Sequence, residues 1–400
     1  MSSSPKLTFQ IPVFTLIRAI FNTLYRMIYP FLAVFARGLG VDLTTMSLAL
    51  TARSLVGTLN PLAASVADRR GRKFGMLFGT SLFVLGAALV VFWPVFPALV
   101  VSMILTTLGK YVFDPAMQAY LGDRIHYERR GLALAVTEFG WSLAFIAGVP
   151  LMGFLIARHG WMAPFPLMTL LGVLIFAGVA RMLPKDVRPA GESPTLWVNF
   201  RGVLTFAPAL AGLCIGMFAS TANEVVNLLF GVWLEDSFSL KIAALGAAAA
   251  VIGLSELSGE GLVAAFVDRL GKPQSVALGL AANSLAALLL PLLGRTETGA
   301  LAGLALFYIS FEFTLVSSIP MMTEVLPEAR ATVMAFNVAF ISLGRAIGAP
   351  LAAFLFHFGF PVVTAVAVLF NLFALLALRR MQAGLRASPK QSSPGSSLLL

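Results

Sequence analysis

The residues best placed for chemistry are charged side chains inside otherwise apolar runs. Arg18, Arg26, Arg53, Lys110, Asp114 and Glu138 lie in the first half, Glu224, Glu256, Glu260, Glu312 and Arg345 in the second. At the centre of a bilayer such a group costs ~2.5–3.5 kcal/mol, so it faces a partner or a cavity rather than lipid. The first half thus carries four basic and two acidic groups of this kind, the second one basic and four acidic. Arg18, Asn22 and Arg26 recur at four-residue steps, and Tyr29 follows three residues later, so one helical stripe carries all four. Lys110 and Asp114 are one turn apart and read as an ion pair. With a rise of ~1.5 Å per residue, Asn22, Arg53, Lys110, Glu256, Glu312 and Arg345 fall within a turn of the centres of their runs.

Two kinds of chemistry follow. A cavity lined by Asn22, Arg26, Tyr29, Arg53, Lys110, Asn223, Asn227, Glu256, Glu312 and Arg345 would bind a polar or charged small molecule. A carboxylate among basic groups and apolar walls can release a proton when a charged solute arrives. Asp114, Glu224, Glu256 and Glu312 are the candidates for that role. Arg18 and Glu138 lie nearer one helix end, where snorkelling or a gate role is as natural as solute contact. Metal chemistry has no support. Cys214 is the single cysteine, and His126, His159 and His357 are far apart, so no ligand set and no cofactor are expected. No HExxH, no phosphate-cradling GxxxxGK[ST] and no nucleophile–base pair is present, which argues against an enzyme and against ATP hydrolysis.

The elements that must position these groups are membrane spans. The chain has 400 residues, 58% hydrophobic and only 12% charged, with a mean hydropathy of +0.90. Soluble domains run near a quarter charged. Spans of ~20 apolar residues, cut at Gly, Pro and charge clusters, are predicted at Thr8–Ala36, Leu43–Ala67, Phe74–Trp93, Phe96–Leu121, Gly131–Ala157 and Met162–Met182. A second set is predicted at Leu204–Trp233, Ile242–Val267, Ser275–Leu293, Ala300–Met322, Ala331–His357 and Phe360–Leu378. The first segment is too long for a signal-peptide core and reads as a retained span. The expected fold is all-α, with twelve transmembrane helices in two pseudo-symmetric six-helix bundles. The bundles are expected over residues 1–182 and 203–380, joined by a cytoplasmic linker at 183–202 and followed by a disordered tail at 381–400.

Orientation follows from the basic residues. With both termini in the cytoplasm, 19 of the 28 Lys and Arg fall in inner segments and 4 in outer ones, as the positive-inside rule requires. The net charge of +10 is thereby assigned to membrane orientation, and no nucleic-acid partner is expected. Trp93, Trp161 and Trp233 fall at predicted outer ends, as in an interfacial aromatic belt. A monomer in the cell inner membrane is the expected state.

The chain also repeats itself. Val66-Ala67-Asp68-Arg69-Arg70-Gly71-Arg72-Lys73 returns two hundred residues later as Phe266-Val267-Asp268-Arg269-Leu270-Gly271-Lys272-Pro273. The same offset pairs Glu128 and Arg130 with Glu328 and Arg330, and Gly148 and Pro150 with Gly348 and Pro350. The first copy resembles the loop signature of the major facilitator superfamily, Gly-x-x-x-Asp-Arg/Lys-x-Gly-Arg-Arg/Lys, with Ala64 in place of the first Gly. That resemblance covers nearly the whole chain and implies a secondary transporter that rocks two bundles about a central cavity. It implies a cytoplasmic gate at Asp68, Arg69, Gly71, Arg72, Arg130, Asp268, Arg269 and Arg330, with Arg72 and Arg130 reaching carboxylates or carbonyls across the seam. Gly148-x-Pro150-x-x-Gly153 and Gly348-x-Pro350 partly match the stretch typical of drug:proton antiporters, although Val149 and Ala349 replace a Gly. The expected function is proton-coupled efflux of a small organic or amphipathic solute. The alternative is uptake or exchange of an anionic solute drawn by Arg18, Arg26, Arg53 and Lys110.

Overall fold

The computed structural model describes residues 5–59, 70–184 and 196–387, and among these every regular element is a helix. The first half holds α1 (Pro5–Arg26), α2 (Leu32–Leu39), α3 (Leu43–Val56), α4 (Arg72–Phe92) and α5 (Phe96–Arg124). It continues through α6 (Tyr127–Leu143), a π turn at Ala144–Gly148, α7 (Val149–His159) and α8 (Pro164–Met182). The second half holds α9 (Leu196–Thr205), α10 (Ala207–Asn227), α11 (Phe230–Phe238), α12 (Ile242–Leu270) and α13 (Lys272–Leu293). It closes with α14 (Glu297–Val325), α15 (Arg330–Phe356) and α16 (Phe360–Ala387). The helix α9 occupies part of the expected linker, and α16 runs seven residues into the expected tail. Residues 185–195 and 388–400 lie outside the described residues.

Ten of the described helical segments are long and apolar enough to cross a membrane. An eleventh is formed if α2 and the segment Leu43–Leu59, bent by 111°, count as one. The molecule is therefore a multi-pass membrane protein. Its outward face agrees, since Leu85, Phe92, Leu170, Leu285, Leu292, Phe354 and Leu376 are exposed, an apolar surface that lipid tolerates and water does not.

The first predicted span is broken rather than continuous. Pro30 has no amide hydrogen for the Arg26 carbonyl, so α1 ends there, and the Tyr29 amide donates to that carbonyl instead at 3.2 Å. The break places Tyr29 in a turn between α1 and α2. The first span of the second half is broken at the corresponding place, between α10 and α11. In the first half, Pro150 ends the regular hydrogen-bond ladder of α6 and the chain absorbs it in the π turn. In the second half α15 passes through Pro350 as one helix.

Packing contacts recur at the two-hundred-residue offset. A Cβ on Gly79 would lie 2.5 Å from the Gly109 carbonyl, and one on Gly279 would lie 2.3 Å from Thr314 Oγ1. Both glycines let two helices pass closely against a phenylalanine, Phe113 in one case and Phe313 in the other. Gly148 is pressed on Thr23, and Gly348 on Glu224. Gly71 and Gly271 adopt φ of 104° and 86°, a conformation that a side chain would strain, so each loop turns into its next helix at a glycine.

The expected aromatic belt is only partly present. Trp93 is exposed at the end of α4, but Trp233 is buried and stacks on Phe360 at 4.1 Å. Its position in the short α11 turns it inward between helices of the second half.

Candidate functional site

A cavity of about 670 Å³ lies between the two halves of the chain. Its walls come from α1 and the turn after it, α5, α6, α10, α12, α14 and α15. Of the residues expected to line it, Arg26, Tyr29, Lys110, Asn223, Asn227, Glu256, Glu312 and Arg345 do so. Arg53 and Asn22 do not; both are buried behind the wall. Asn22 Nδ2 donates to the Gly140 carbonyl at 3.3 Å, which ties α1 to α6.

One ion pair joins the halves at the centre. Arg26 on α1 reaches Glu256 on α12 with both guanidinium nitrogens, Nη1–Oε2 at 2.8 Å and Nη2–Oε1 at 2.6 Å. The guanidinium also donates to the Trp141 carbonyl at 3.1 Å. It lies against the faces of Phe145 and Trp141, with its carbon 3.4 and 4.1 Å from the ring centroids. Bidentate geometry and cation–π contact together keep a pair of buried charges in one orientation.

Beneath this pair a chain of hydrogen bonds runs from one half to the other. Arg53 donates to the Tyr25 carbonyl at 2.7 Å and to the Tyr29 hydroxyl at 2.6 Å. The Tyr29 hydroxyl donates to Glu224 Oε1 at 2.9 Å. Asn227 Nδ2 donates to Glu224 Oε2 at 3.4 Å, and Tyr308 donates to Asn227 Oδ1 at 2.7 Å. Arg53 and Glu224 therefore share Tyr29, which the break at Pro30 delivers to the seam.

A second cluster stays within the first half. Lys110 Nζ donates to Asp114 Oδ2 at 2.6 Å, Arg18 Nε lies 3.3 Å from Asp114 Oδ1, and Arg18 Nη1 lies 2.6 Å from Glu138 Oε1. Asp114 and Glu224 thus sit in the wall rather than at its surface. Arg345 and Glu312 differ from all of these. Arg345 donates to the Tyr25 hydroxyl at 3.4 Å and meets no carboxylate among the described residues. Glu312 is only 6% exposed, yet makes no hydrogen bond or ion pair among the described residues.

The two ends of the seam differ. At the end remote from the termini the halves touch. A Cβ on Gly231 would meet the Pro30 carbonyl at 2.5 Å, Arg37 pairs with Glu235 at 2.7 Å, and Phe31, Phe35 and Leu234 are fully buried. At the end that carries the termini, Phe139 and Ile319 on opposite walls are 45% and 40% exposed. The cavity opens there.

Of the residues expected to form a gate, Gly71, Arg72, Asp268, Arg269 and Arg330 are described, at the open end. Asp68 and Arg69 are outside the described residues, as is the side chain of Arg130. Arg72, expected to reach across the seam, pairs with Asp123 of its own half at 3.3 Å. The reason is local: α4 packs tightly along α5 through Gly79 and Gly109, which brings the end of α5 beside Arg72. Lys272 pairs with Glu324 in the matching place of the second half. Asp268, Arg269 and Arg330 are exposed.

Pattern reasoning from charged residues missed the aromatic lining, Tyr25, Tyr111, Trp141, Tyr308 and Phe311. Their signal was available in part, because Tyr25 adjoins Arg26, and Tyr111 adjoins Lys110.

A multi-pass chain with charged groups turned toward a cavity between its halves is built as a membrane carrier of solutes. Comparison with known proteins gives the same class: the family profile described as Major Facilitator Superfamily matches residues 14–323 and 213–399. The chain belongs to that superfamily and is a transporter, not an enzyme. It is 24% identical over 340 residues to the uncharacterized MFS-type transporter YceJ of Bacillus subtilis (strain 168), covering 82% of this chain and 84% of that one. It is 26% identical over 324 residues to the inner membrane transport protein YdhP of Escherichia coli (strain K12), covering 80% and 81%. Over 168 residues, 42% of this chain and 30% of the other, it is 27% identical to a multidrug resistance protein B homolog of Mycobacterium tuberculosis (strain ATCC 25618 / H37Rv). Its fold resembles a bacterial homolog of the human lysosomal transporter Spinster, crystallised inward-facing and unoccupied, with a TM-score of 0.76 at 15% identity over 98% of this chain and 100% of that one. A POT family transporter in complex with a thioalcohol-conjugated peptide gives 0.74 at 14% identity, covering 96% and 97%.

Proposed function

We propose that this chain moves a small organic or amphipathic solute across the inner membrane by alternating access, as proton-coupled efflux from a monomer. Two bundles of six helices, with both termini in the cytoplasm, rock about the cavity between them. The observation that carries this reading is the Arg26–Glu256 pair, a buried contact between the halves placed on the cavity wall. A rocking motion must make and break such a contact, and a proton on Glu256 would remove its attraction for Arg26.

The positive-inside count makes the open end cytoplasmic, so the described conformation is inward-open. In that state Arg72 and Lys272 hold acids of their own halves. They become free to reach across the seam when the mouth closes. Glu256, Glu224, Glu312 and Asp114 are the proton carriers to test. Glu312 stands first among them for having no hydrogen-bond or ion-pair partner among the described residues, and Glu224 second for holding Tyr29 at the seam. Glu260 and Glu312 on the cavity wall weigh against an exclusively anionic solute.

The test is flux in proteoliposomes under an imposed pH gradient, with solutes chosen by a thermal-shift screen and internal pH followed by a trapped dye. Wild-type protein should acidify the lumen as solute leaves it. The substitutions E256Q, E224Q, E312Q and D114N should include at least one that retains solute exchange but no longer moves protons. Proton movement unchanged in all four would remove the coupling proposal.

A further inference from the structure

The charges on the cavity wall do not cancel locally. Arg26 is matched by Glu256, and Arg18 and Lys110 by Asp114 and Glu138. Three lining groups are left over. Arg345 on α15 has the Tyr25 hydroxyl as its hydrogen-bond partner, and its guanidinium carbon lies 5.7 Å from the Trp141 ring centroid. Among the described residues Glu312 on α14 has no hydrogen-bond or ion-pair partner, and Glu260 on α12 accepts only a 3.5 Å bond from Ser142. Arg345 and Glu312 face one cavity without pairing with each other among the described residues. The remaining wall toward the mouth is apolar: Leu257, Ala264, Leu315, Ile319, Val338 and Ile341.

Among the described residues Glu312 has no hydrogen-bond partner, and Arg345 has no ion pair and feels Glu224 only from behind the cavity wall, so each forgoes hydrogen bonds that burial normally demands. Their placement at the inner end of one apolar cavity is what a ligand with both signs of charge would satisfy. We infer that the transported solute is an amphipathic zwitterion, its anionic group held by Arg345 with the Tyr25 hydroxyl, its cationic group by Glu312 and Glu260, and its apolar body along Leu315, Ile319 and Ile341. This inference rests on the transporter reading and sharpens it to a substrate class. A pure cation would leave Arg345 unmatched, and a pure anion would leave two carboxylates unmatched.

The experiment is isothermal titration of the full chain in lipid nanodiscs with three matched probes: 2-aminooctanoate, octylamine and octanoate. The wild type should bind 2-aminooctanoate at least tenfold more tightly than either single-charge probe. R345Q should lose that preference while binding octylamine at least as tightly as the wild type does, since a like charge has left the cavity wall, and its melting transition shows that the variant is folded. R345K should recover part of the zwitterion affinity, and E312Q should weaken the zwitterion and the amine alike. Equal affinity of the wild type for the zwitterion and for one single-charge probe would overturn the proposal. So would retention of the tenfold preference in R345Q, or unchanged affinity of E312Q for both the zwitterion and the amine. None of these results touches alternating access itself, which is read by distances between the halves and not by affinity.

Discussion

Arg26 and Glu256 lie 230 residues apart in sequence and meet as a two-point ion pair at the middle of the seam, each side chain 4% exposed. Removing one partner of a buried pair costs ~3–5 kcal/mol, because the other charge stays buried and unmatched. E256Q should therefore lower thermal stability by an amount of that order and reduce solute flux at least tenfold. The reversal R26E/E256R should restore part of both. Wild-type flux and melting temperature in E256Q would show that the pair neither holds nor times the two halves.

Gly231 and Pro30 set how closely the halves meet at the closed end. A valine at 231 places its Cβ against the Pro30 carbonyl, 2.5 Å away in the present packing, and backbone cannot yield as a flexible side chain does. G231V should prop this end open. A cysteine replacing Ser342 on the cavity wall, in a C214A background, should then react at least fivefold faster with an impermeant maleimide added from the closed-end side. No change in that rate would mean that the closure rests on other contacts.

Arg72–Asp123 and Lys272–Glu324 are open-end pairs whose acidic partners are more than half exposed, and pairs of that kind are worth ~0–1 kcal/mol. D123N and E324Q should each leave thermal stability within about 1 kcal/mol of wild type. Substitution R72Q, by contrast, should slow transport severalfold if Arg72 also serves the mouth-closed state. Flux in R72Q equal to that in D123N would assign Arg72 to its own half alone.

Asp42 caps α3, its Oδ1 accepting the Thr45 amide hydrogen at 2.8 Å. The hydrogen bonds from Thr45 hold this carboxyl below its ordinary value of 3.8. A carboxyl lowered in the folded state stabilises at pH above its unfolded value, and that contribution disappears as pH falls through the folded one. The melting temperature of D42N should consequently depend less steeply on pH than wild type in the range below about 4, and equal steepness would show that the cap is energetically silent.

The fold was largely legible because lipid enforces long apolar helices, and the offset of two hundred residues reappears in space as Gly79 and Gly279 or Gly148 and Gly348. Charged residues at mid-span were a sound guide to the cavity for Arg26, Glu256, Glu312 and Arg345. Pattern reasoning could not separate the surface of the wall from the layer behind it, so Arg53 and Asn22 were expected to line the cavity and instead lie buried behind it. Which layer a side chain occupies depends on helix rotation and on the break at Pro30, neither of which has a signature in composition. A motif carries no conformational state, so it could not say that Arg72 would also meet Asp123 of its own half. The aromatic lining was hidden for a simpler reason: Tyr and Trp in an apolar run look like ordinary core.

In the proposed alternating-access cycle the two halves exchange which end they close. Spin labels at L39C and L240C report the closed end, and labels at F139C and I319C report the mouth, both pairs in a C214A background and in nanodiscs. Electron–electron resonance distances should be short for the first pair and long for the second in solute-free protein at neutral pH. Addition of a bound solute or a change to acid pH should populate a state in which the first distance lengthens and the second shortens together. Two distances that stay constant under every gradient and ligand tried, or that lengthen together, would contradict it.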